Sequence, residues 1–169
     1  MTKPTQSIAD VPTSIISGFL GVGKTTAIRN LLSQKPKNQR WAVLINEFGE
    51  VGVDASLIEA GTSTQKEIFL REVPGGCMCC TNGLPMQMAL NQLLTRARPH
   101  RLLIEPTGLG HLEEVIGTLS SGYNKKTIQL NAVITLVDAR MLKHDRYLKN
   151  DTFVEQIEWA DIIIGNKYD

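Results

Sequence analysis

Residues 18–25 read Gly-Phe-Leu-Gly-Val-Gly-Lys-Thr and match the phosphate-loop pattern G-x-x-x-x-G-K-[ST] at every fixed position. Such a loop binds phosphate through its backbone N–H groups and the N-terminus of the helix that follows it. It therefore has to connect a β-strand to a helix. Here the apolar run Ser14–Ser17 precedes the loop and a helical pattern containing Ala27 and Ile28 follows it. This context predicts an α/β fold that binds a nucleotide.

The loop predicts a role for each of its small and polar residues. Its glycines let the backbone close around the β-phosphate. Lys24 is expected to reach the β- and γ-phosphates, and the Thr25 hydroxyl is expected to ligate Mg²⁺. Lys24 and Thr25 are therefore also catalytic candidates. The predicted nucleotide-binding residues of this segment are Gly18, Gly21, Gly23, Lys24, Thr25 and Thr26.

Short apolar runs recur along the chain and predict further strands. Each run is almost continuous in apolar residues, as in parallel strands that are covered on both faces. The five predicted strands are Ser14–Ser17, Trp41–Asn46, Leu102–Glu105, Ala132–Val137 and Asp161–Gly165, and Glu67–Val73 is a candidate sixth. Because helical patterns lie between them, we expect a three-layer α/β P-loop NTPase fold with a mainly parallel central sheet. Such sheets bind ligands at the carboxyl ends of their strands.

Two of the helical patterns make specific predictions. In one, six residues follow the i, i+3, i+4, i+7 spacing and are expected to form a buried face. They are Met86, Ala89, Leu90, Leu93, Leu94 and Ala97. A final helix is expected to start at a capping box formed by Thr152 and Glu155, with Phe153, Ile157 and Ala160 on one side.

Charge and composition exclude several classes of protein. The 169 residues include 18 Lys or Arg and 17 Asp or Glu, a net charge of +1, so no global field favours nucleic acid or an anionic membrane as a partner. No segment approaches the ~18 apolar residues of a membrane span, and residues 1–12 lack the apolar core of a secretory signal. We expect a cytoplasmic chain with a flexible segment at residues 1–12 and one domain at residues 13–169.

A second nucleotide-binding feature is the sequence Leu-Leu-Ile-Glu-Pro-Thr-Gly at residues 102–108. An apolar strand that ends in an acid delivers a carboxylate to the edge of the sheet where Mg²⁺ would lie. Glu105 is therefore a predicted Mg²⁺ ligand, and its length favours a water between carboxylate and metal. Gly108 is expected to present its N–H to the γ-phosphate. We assign both residues to catalysis.

The last strand leads into Asn166-Lys167-Tyr168-Asp169, an N-K-x-D motif. The Asp169 carboxylate can accept hydrogen bonds from guanine N1–H and the exocyclic amine, a donor pair that adenine lacks. Asn166 is expected to read the other side of guanine and to brace the loop, and the Lys167 stem is expected to lie on the purine face. Because Asp169 is the final residue, we expect the chain to be part of a longer protein and its nucleotide affinity to be weakened.

All three cysteines lie in one tetrapeptide, Cys77-Met78-Cys79-Cys80. Disulfide frameworks spread their cysteines, so this clustering favours metal binding through thiolates. Zn²⁺, Cu(I) and Co²⁺ all accept such ligands, and the C-x-C pair can chelate one ion. Three alternatives stay open: buried apolar fillers, a redox thiol and a closed structural zinc site.

An acidic loop follows the second predicted strand and contains Glu47, Glu50 and Asp54 among glycines. These carboxylates could sense Mg²⁺–GTP, orient water or bind a second metal. We assign Glu47 to catalysis and Glu50 to metal binding. The alternative is an ordinary solvated loop.

Taken together, the chain resembles the CobW-type family of P-loop GTPases, which contains metallochaperones and proteins that insert metal cofactors. The resemblance rests on GFLGVGKTT, INEFGEVGVD, GGCMCC, LLIEPTGLG and NKYD, in family order from about residue 13 to the end. It implies a GTPase with metal at Cys77, Cys79 and Cys80. It also implies switch acids at Glu47 and Glu50, and a C-terminal domain that this chain lacks.

The resemblance and the motifs together predict a GTP-hydrolysing metallochaperone. It would capture a transition metal, with zinc favoured over cobalt, nickel or iron, and deliver it to a client metalloprotein. Oligomers are compatible with this prediction. Turnover is expected to be slow, about 10⁻⁴–10⁻² s⁻¹, because the sequence reveals no arginine finger or catalytic glutamine. The alternative is a nucleotide-gated metal reservoir or sensor in which hydrolysis is incidental, and a third candidate, an ATP-using kinase, is opposed by the N-K-x-D motif.

Overall fold

The computed structural model describes residues 8–45, 68–73 and 84–167. Its strands are β1 (Val11–Gly18), β2 (Trp41–Ile45), β3 (Ile68–Glu72), β4 (Arg101–Glu105), β5 (Ile128–Asp138) and β6 (Ile162–Asn166). Its helices are α1 (Lys24–Ser33), α2 (Leu84–Ala97), α3 (Leu112–Leu119), α4 (Asn124–Thr127), α5 (Asp145–Leu148) and α6 (Asp151–Glu158), with a 3₁₀ turn at Ala139–Lys143. None of the described helices is long and apolar enough to cross a membrane.

The strands form one sheet in the order β3-β2-β4-β1-β5-β6, and every described pairing is parallel. The predicted α/β P-loop NTPase fold is confirmed, including the candidate strand within Glu67–Val73. The register pairs Ile45 with Glu105 and Asp138 with Asn166. Because all the described strands run the same way, their carboxyl ends share one edge, and Glu105 and Asn166 lie at the strand ends there.

Two apolar cores cover the two faces of the sheet. Ile15 of β1 belongs to the core that also contains α2 and α3 residues, and the next residue, Ile16, belongs to the core that contains Ile28 of α1. Successive strand residues point to opposite faces, so a strand covered on both sides reads as a continuous apolar run. The six predicted α2 positions are all buried, which confirms that amphipathic face.

Strands β1 and β5 begin earlier than the apolar runs indicate, at Val11 and Ile128. The sequence signal stops short because Thr13 is polar, yet the structure buries it and its hydroxyl donates a hydrogen bond to the Val11 carbonyl at 2.9 Å. Pairing between the two strands continues through this region with a register shift between Thr13 and Ser14. A satisfied hydroxyl removes the usual cost of burying threonine.

The predicted capping box at Thr152 is wrong. Helix α6 begins at Asp151 and is capped by Asn150, whose side-chain oxygen accepts a hydrogen bond from the Phe153 N–H at 3.0 Å. Asparagine is as good an N-cap as threonine, and here the backbone turns into the helix two residues earlier. Glu155 consequently does not cap α6 and binds other groups, described below.

Strand β6 departs from the expectation that every strand is covered on both faces. Ile162, Ile163 and Ile164 are 49%, 53% and 45% exposed, so the described elements cover this strand only in part. An apolar groove runs alongside the strand, lined in part by Phe153 and Ile157. The apolar sequence of β6 therefore predicts the strand correctly but not its surroundings.

The end of β1 provides a stability test. A Cβ at Gly18 would lie 2.3 Å from the Leu136 carbonyl oxygen, and the residue has φ +137°, a conformation that side chains disfavour. We expect Gly18→Ala to lower the free energy of unfolding by at least about 2 kcal/mol, from strain and backbone displacement. Urea denaturation followed by circular dichroism measures it.

The matched control is Gly117→Ala in α3, where a Cβ would meet nothing within 4 Å. There the substitution is expected to raise stability by about 0.5–1 kcal/mol, because alanine loses less backbone entropy in a helix. Equal effects of the two substitutions would contradict the steric explanation.

Candidate functional site

The phosphate loop connects β1 to α1 and is shaped by glycines in conformations that other residues rarely adopt. Gly21 and Gly23 have φ values of 69° and 102°. Gly23 caps α1 without a side-chain hydrogen bond, and the first turn of the helix contains no acid. The first turn of α1 thus contributes no carboxylate of its own to compete for the positive end of the helix dipole, an arrangement suited to a phosphate.

Lys24 is 6% exposed and folds back over the loop. Its ammonium donates hydrogen bonds to the carbonyls of Gly18 at 2.9 Å and Phe19 at 3.2 Å. These partners hold a buried charge that would otherwise be costly. A phosphate group in the loop would offer the same ammonium a stronger, charged acceptor.

Thr25 and Glu105 meet although they are distant in sequence. The Thr25 hydroxyl donates to Glu105 Oε1 at 3.1 Å, and Oε2 lies 3.4 Å away. Glu105 is 9% exposed at the end of β4, which the register places beside β1. A hydroxyl and a carboxylate are the oxygen ligands that Mg²⁺ prefers, so the two residues together fit that ion.

Gly108 lies against the phosphate loop. A Cβ at this position would be 2.9 Å from the Leu20 backbone nitrogen and 3.0 Å from the Lys24 ammonium. Its carbonyl oxygen accepts a hydrogen bond from Gln156 Nε2 on α6 at 3.0 Å. Any side chain would therefore push the 106–110 loop away from Lys24, and only glycine permits this approach.

Asn166 and Lys167 extend from β6 onto the same loop. The Asn166 amide donates to the Val22 carbonyl at 2.8 Å, and the Lys167 ammonium donates to the Gly21 carbonyl. A Cβ at Gly23 would lie 2.9 Å from the Asn166 amide nitrogen. The first two residues of the N-K-x-D sequence and the phosphate loop are thus in direct contact through polar groups.

Sequence reasoning missed Asp138, which ends β5 beside Asn166. Its carboxylate accepts hydrogen bonds from Arg140, with 2.7 Å to Nη2, and lies 3.9 Å from the Lys167 ammonium. The Arg140 side chain lowers the pKa of Asp138 to about 2, and Lys167 adds to that effect. The signal was available, since Asp138 is an acid at the end of an apolar strand, as Glu105 is.

Glu155 joins α6 to the far end of the 106–110 loop. One carboxylate oxygen lies 3.0 Å from His111 Nδ1, and the other accepts the Glu113 N–H at 3.0 Å. The hydrogen bond and charge of Glu155 raise the pKa of His111 above its ordinary value of 6.5. Gln156 was not singled out from the sequence, and Glu155 was predicted only as part of a capping box, because a polar pair in an amphipathic helix gives no further functional signal.

The remaining predicted site residues lie outside the described ranges. They are Glu47, Glu50, Cys77, Cys79, Cys80 and Asp169. Thr26 is described and lies in the first turn of α1. Within residues 8–45, 68–73 and 84–167 no group of three or more His, Cys, Asp or Glu side chains could hold a metal. The described strand ends do approach each other, since the Val73 N–H donates to the Ile45 carbonyl at 3.0 Å.

Comparison with known proteins identifies relatives. Residues 12–169 match the family model described as CobW/HypB/UreG, nucleotide-binding domain. The chain is 48% identical over 157 residues to "Zinc chaperone YeiR" of Escherichia coli, covering 93% of this chain and 46% of that protein. It is 33% identical over 168 residues to "Zinc-regulated GTPase metalloprotein activator 1" of Schizosaccharomyces pombe, covering 94% and 39%.

A solved structure agrees with the fold. The zinc-bound YjiA GTPase from Escherichia coli superposes with a TM-score of 0.65 at 27% identity, covering 92% of this chain and 49% of that chain. The chain spans about half the length, or less, of the curated relatives described above.

The contact between Asn166 and Val22 should stabilise the protein even without nucleotide. We expect Asn166→Ala to lower the free energy of unfolding by about 1 kcal/mol, because the carbonyl of the buried Val22 loses its donor. Asn91→Ala, on the exposed side of α2, is the control and should have little effect or a small stabilising one. Thermal and urea unfolding of the nucleotide-free protein measure both, and equal values would contradict the bracing role.

The His111–Glu155 pair makes stability depend on pH. Since the pKa of His111 is raised in the folded state, its contribution is fully present below the unfolded value of about 6.5. The contribution is lost as pH rises through the folded pKa. Glu155→Gln should return the pKa of His111 towards its ordinary value, measured by NMR titration of the ring. An unchanged titration midpoint would show that the pair does not form in solution.

Proposed function

The chain belongs to the CobW/HypB/UreG nucleotide-binding family, and on that premise we propose that it is a GTP-dependent metallochaperone. It binds and hydrolyses Mg²⁺–GTP, captures a transition metal at Cys77, Cys79 and Cys80, and delivers the metal to a client metalloprotein. Zinc is the favoured metal, because two of its relatives carry zinc in their names and thiolate clusters suit it.

The observation that carries the nucleotide part is the contact between Thr25 and Glu105 beside Lys24. The hydroxyl and carboxylate lie 3.1 Å apart and would hold Mg²⁺, with Glu105 acting through a water. Bound there, the ion would neutralise charge that develops on the phosphates. Lys24 would exchange the Gly18 and Phe19 carbonyls for the β- and γ-phosphates, and the Gly108 N–H would approach the γ-phosphate. The protein's part is thus positioning and charge stabilisation.

Guanine selectivity is assigned to the segment after β6. Asp169 would accept the two guanine donors, and Lys167 would cover the purine face. The hydrogen bond from Asn166 to Val22 supports this arrangement, because it ties the base-reading segment to the phosphate loop at a fixed distance. ATP would leave the Asp169 carboxylate without its donor pair, which is how a buried polar site rejects a wrong base.

Coupling between nucleotide and metal is assigned to the sheet edge that carries Glu105. The chain leaves β2 at Ile45, which pairs with Glu105, and leaves β3 at Val73, which is hydrogen-bonded to Ile45. The segment with Glu47 and Glu50 and the segment with the cysteines therefore both start at this edge. A nucleotide can gate metal binding only by differential affinity, and a hundredfold change corresponds to about 2.7 kcal/mol.

The first test is an anaerobic Zn²⁺ titration against a competing chelator, with and without Mg²⁺–GTP. We expect GTP to tighten Zn²⁺ binding at least tenfold and the double substitution Cys77→Ser/Cys79→Ser to abolish this effect. Mg²⁺–ATP is the control for base recognition and should leave the affinity unchanged.

Tight Zn²⁺ binding that is indifferent to GTP would instead assign the cysteines to a structural or redox role. Stimulation of GTP hydrolysis by a metal-accepting client would separate the chaperone from a nucleotide-gated reservoir, in which hydrolysis is incidental. If ATP competes better than GTP, the guanine assignment is wrong.

A further inference from the structure

We propose that Gln156 is a positioning residue that makes the protein prefer GTP to GDP. The inference rests on the proposed GTPase function, in which Gly108 approaches the γ-phosphate. Gln156 lies on α6 and touches neither Lys24 nor the expected Mg²⁺ ligands in the contacts described. It acts through the main chain of the 106–110 loop.

The first observation is the burial of Gln156. The residue is 1% exposed, and its Nε2 donates to the Gly108 carbonyl at 3.0 Å. Its Oε1 is buried and has no hydrogen-bond partner in the described part of the chain. An unsatisfied buried amide oxygen costs free energy, and a buried glutamine loses rotamer freedom. An apolar side chain of similar size would avoid the unsatisfied oxygen but would leave the Gly108 carbonyl without its donor, so the feature specific to glutamine here is its bond to that carbonyl.

The second observation is that α6 is fixed on the opposite side. The Thr135 hydroxyl of β5 donates to the Gln156 main-chain carbonyl at 2.9 Å and is itself buried. The neighbouring Glu155 holds His111 and the Glu113 N–H. Helix α6 is therefore held by β5, and the loop after β4 is hydrogen-bonded to α6 at Gly108 and again at His111.

The third observation is the position of Gly108. A Cβ there would lie 3.0 Å from the Lys24 ammonium, so the main chain of Gly108 borders the place where a γ-phosphate would be. The negative end of a carbonyl dipole facing that phosphate would repel it. The hydrogen bond from Gln156 directs this carbonyl into α6 instead. Without that bond the Gly108–Leu109 peptide keeps only the long hydrogen bond from its N–H to the Thr107 hydroxyl, at 3.5 Å. The peptide is then less firmly held, and binding of the γ-phosphate has to order the loop first.

The selectivity follows from which phosphate the loop touches. GDP ends at the β-phosphate, which the phosphate loop and Lys24 would bind without Gly108. Only GTP would require the 106–110 loop in place. Loss of the Gln156 donor should therefore weaken GTP binding and slow hydrolysis while leaving GDP affinity nearly unchanged.

The test compares Gln156→Met, which keeps the side-chain bulk and removes the donor, with the wild type. Affinities for GDP and for a non-hydrolysable GTP analogue are measured with Mg²⁺, together with kcat and KM for GTP. We expect the preference for the GTP analogue over GDP to fall about tenfold, the size of one lost buried hydrogen bond. GDP affinity should stay within about twofold of the wild-type value, because GDP has no γ-phosphate and makes no use of this hydrogen bond.

The matched control is Thr135→Val, which removes the hydrogen bond to the main chain of the same residue and leaves the amide in place. It should lower Tm without changing the ratio of GTP-analogue to GDP affinity. A Gln156→Met protein that weakens both nucleotides equally, or lowers only Tm, would overturn the inference.

A measurement on the unmodified protein covers the case in which Gln156→Met does not fold. One side-chain amide proton of Gln156 should exchange slowly with solvent, and its NMR signal should shift when the GTP analogue replaces GDP. A fast-exchanging or unshifted signal would overturn the inference. If the wild type binds no guanine nucleotide, the proposed function itself fails; if it binds and the variants change nothing, only the role of Gln156 fails.

Discussion

Strand β1 is hydrogen-bonded on both sides by parallel strands, and the candidate site depends on this arrangement. Its neighbours are β4 and β5, so the carboxyl ends of three strands meet where the phosphate loop begins. The close approach is possible only because Gly18 has no side chain to meet the Leu136 carbonyl. From that point α1 starts with Lys24 and Thr25, and β4 delivers Glu105 to the same edge. The positions of Lys24, Thr25 and Glu105 thus follow from the common direction of the strands and from the glycine at residue 18.

Much of this could be predicted from the sequence, because the relevant signals are local. The glycine pattern at residues 18–25 specifies a strand, a loop and a helix in order, and the apolar spacing of α2 specifies its buried face. The partners of Glu155 and Gln156 could not be predicted in the same way. Their contacts with His111 and Gly108 join segments that are far apart in the chain. The spacing of apolar residues in a helix does not indicate which loop will pack against it. The Asn150 cap was missed because Asn150 and Thr152, two residues apart, are both favourable N-cap residues.

Helix α6 emerges as the element that connects separate parts of the site. It holds the loop after β4 through two side chains and leads directly into β6, whose Asn166 holds the phosphate loop. A small shift of this helix would therefore alter the surroundings of the proposed γ-phosphate site and of the proposed base site together. Packed elements of this kind move as units, which is how a sub-ångström change at one group reaches another.

The exposed isoleucines of β6 have a practical consequence for work on this polypeptide. The strand stands at the edge of the sheet, so its outer row of backbone N–H and C=O groups faces no described neighbour. Ile162, Ile163 and Ile164 are β-branched, uncharged and about half exposed, a combination that invites intermolecular strand pairing. At the concentrations used for crystallisation, edge-to-edge aggregation would compete with the native state. A charged substitution at Ile163 would oppose it, because a charge disfavours pairing with a second apolar strand.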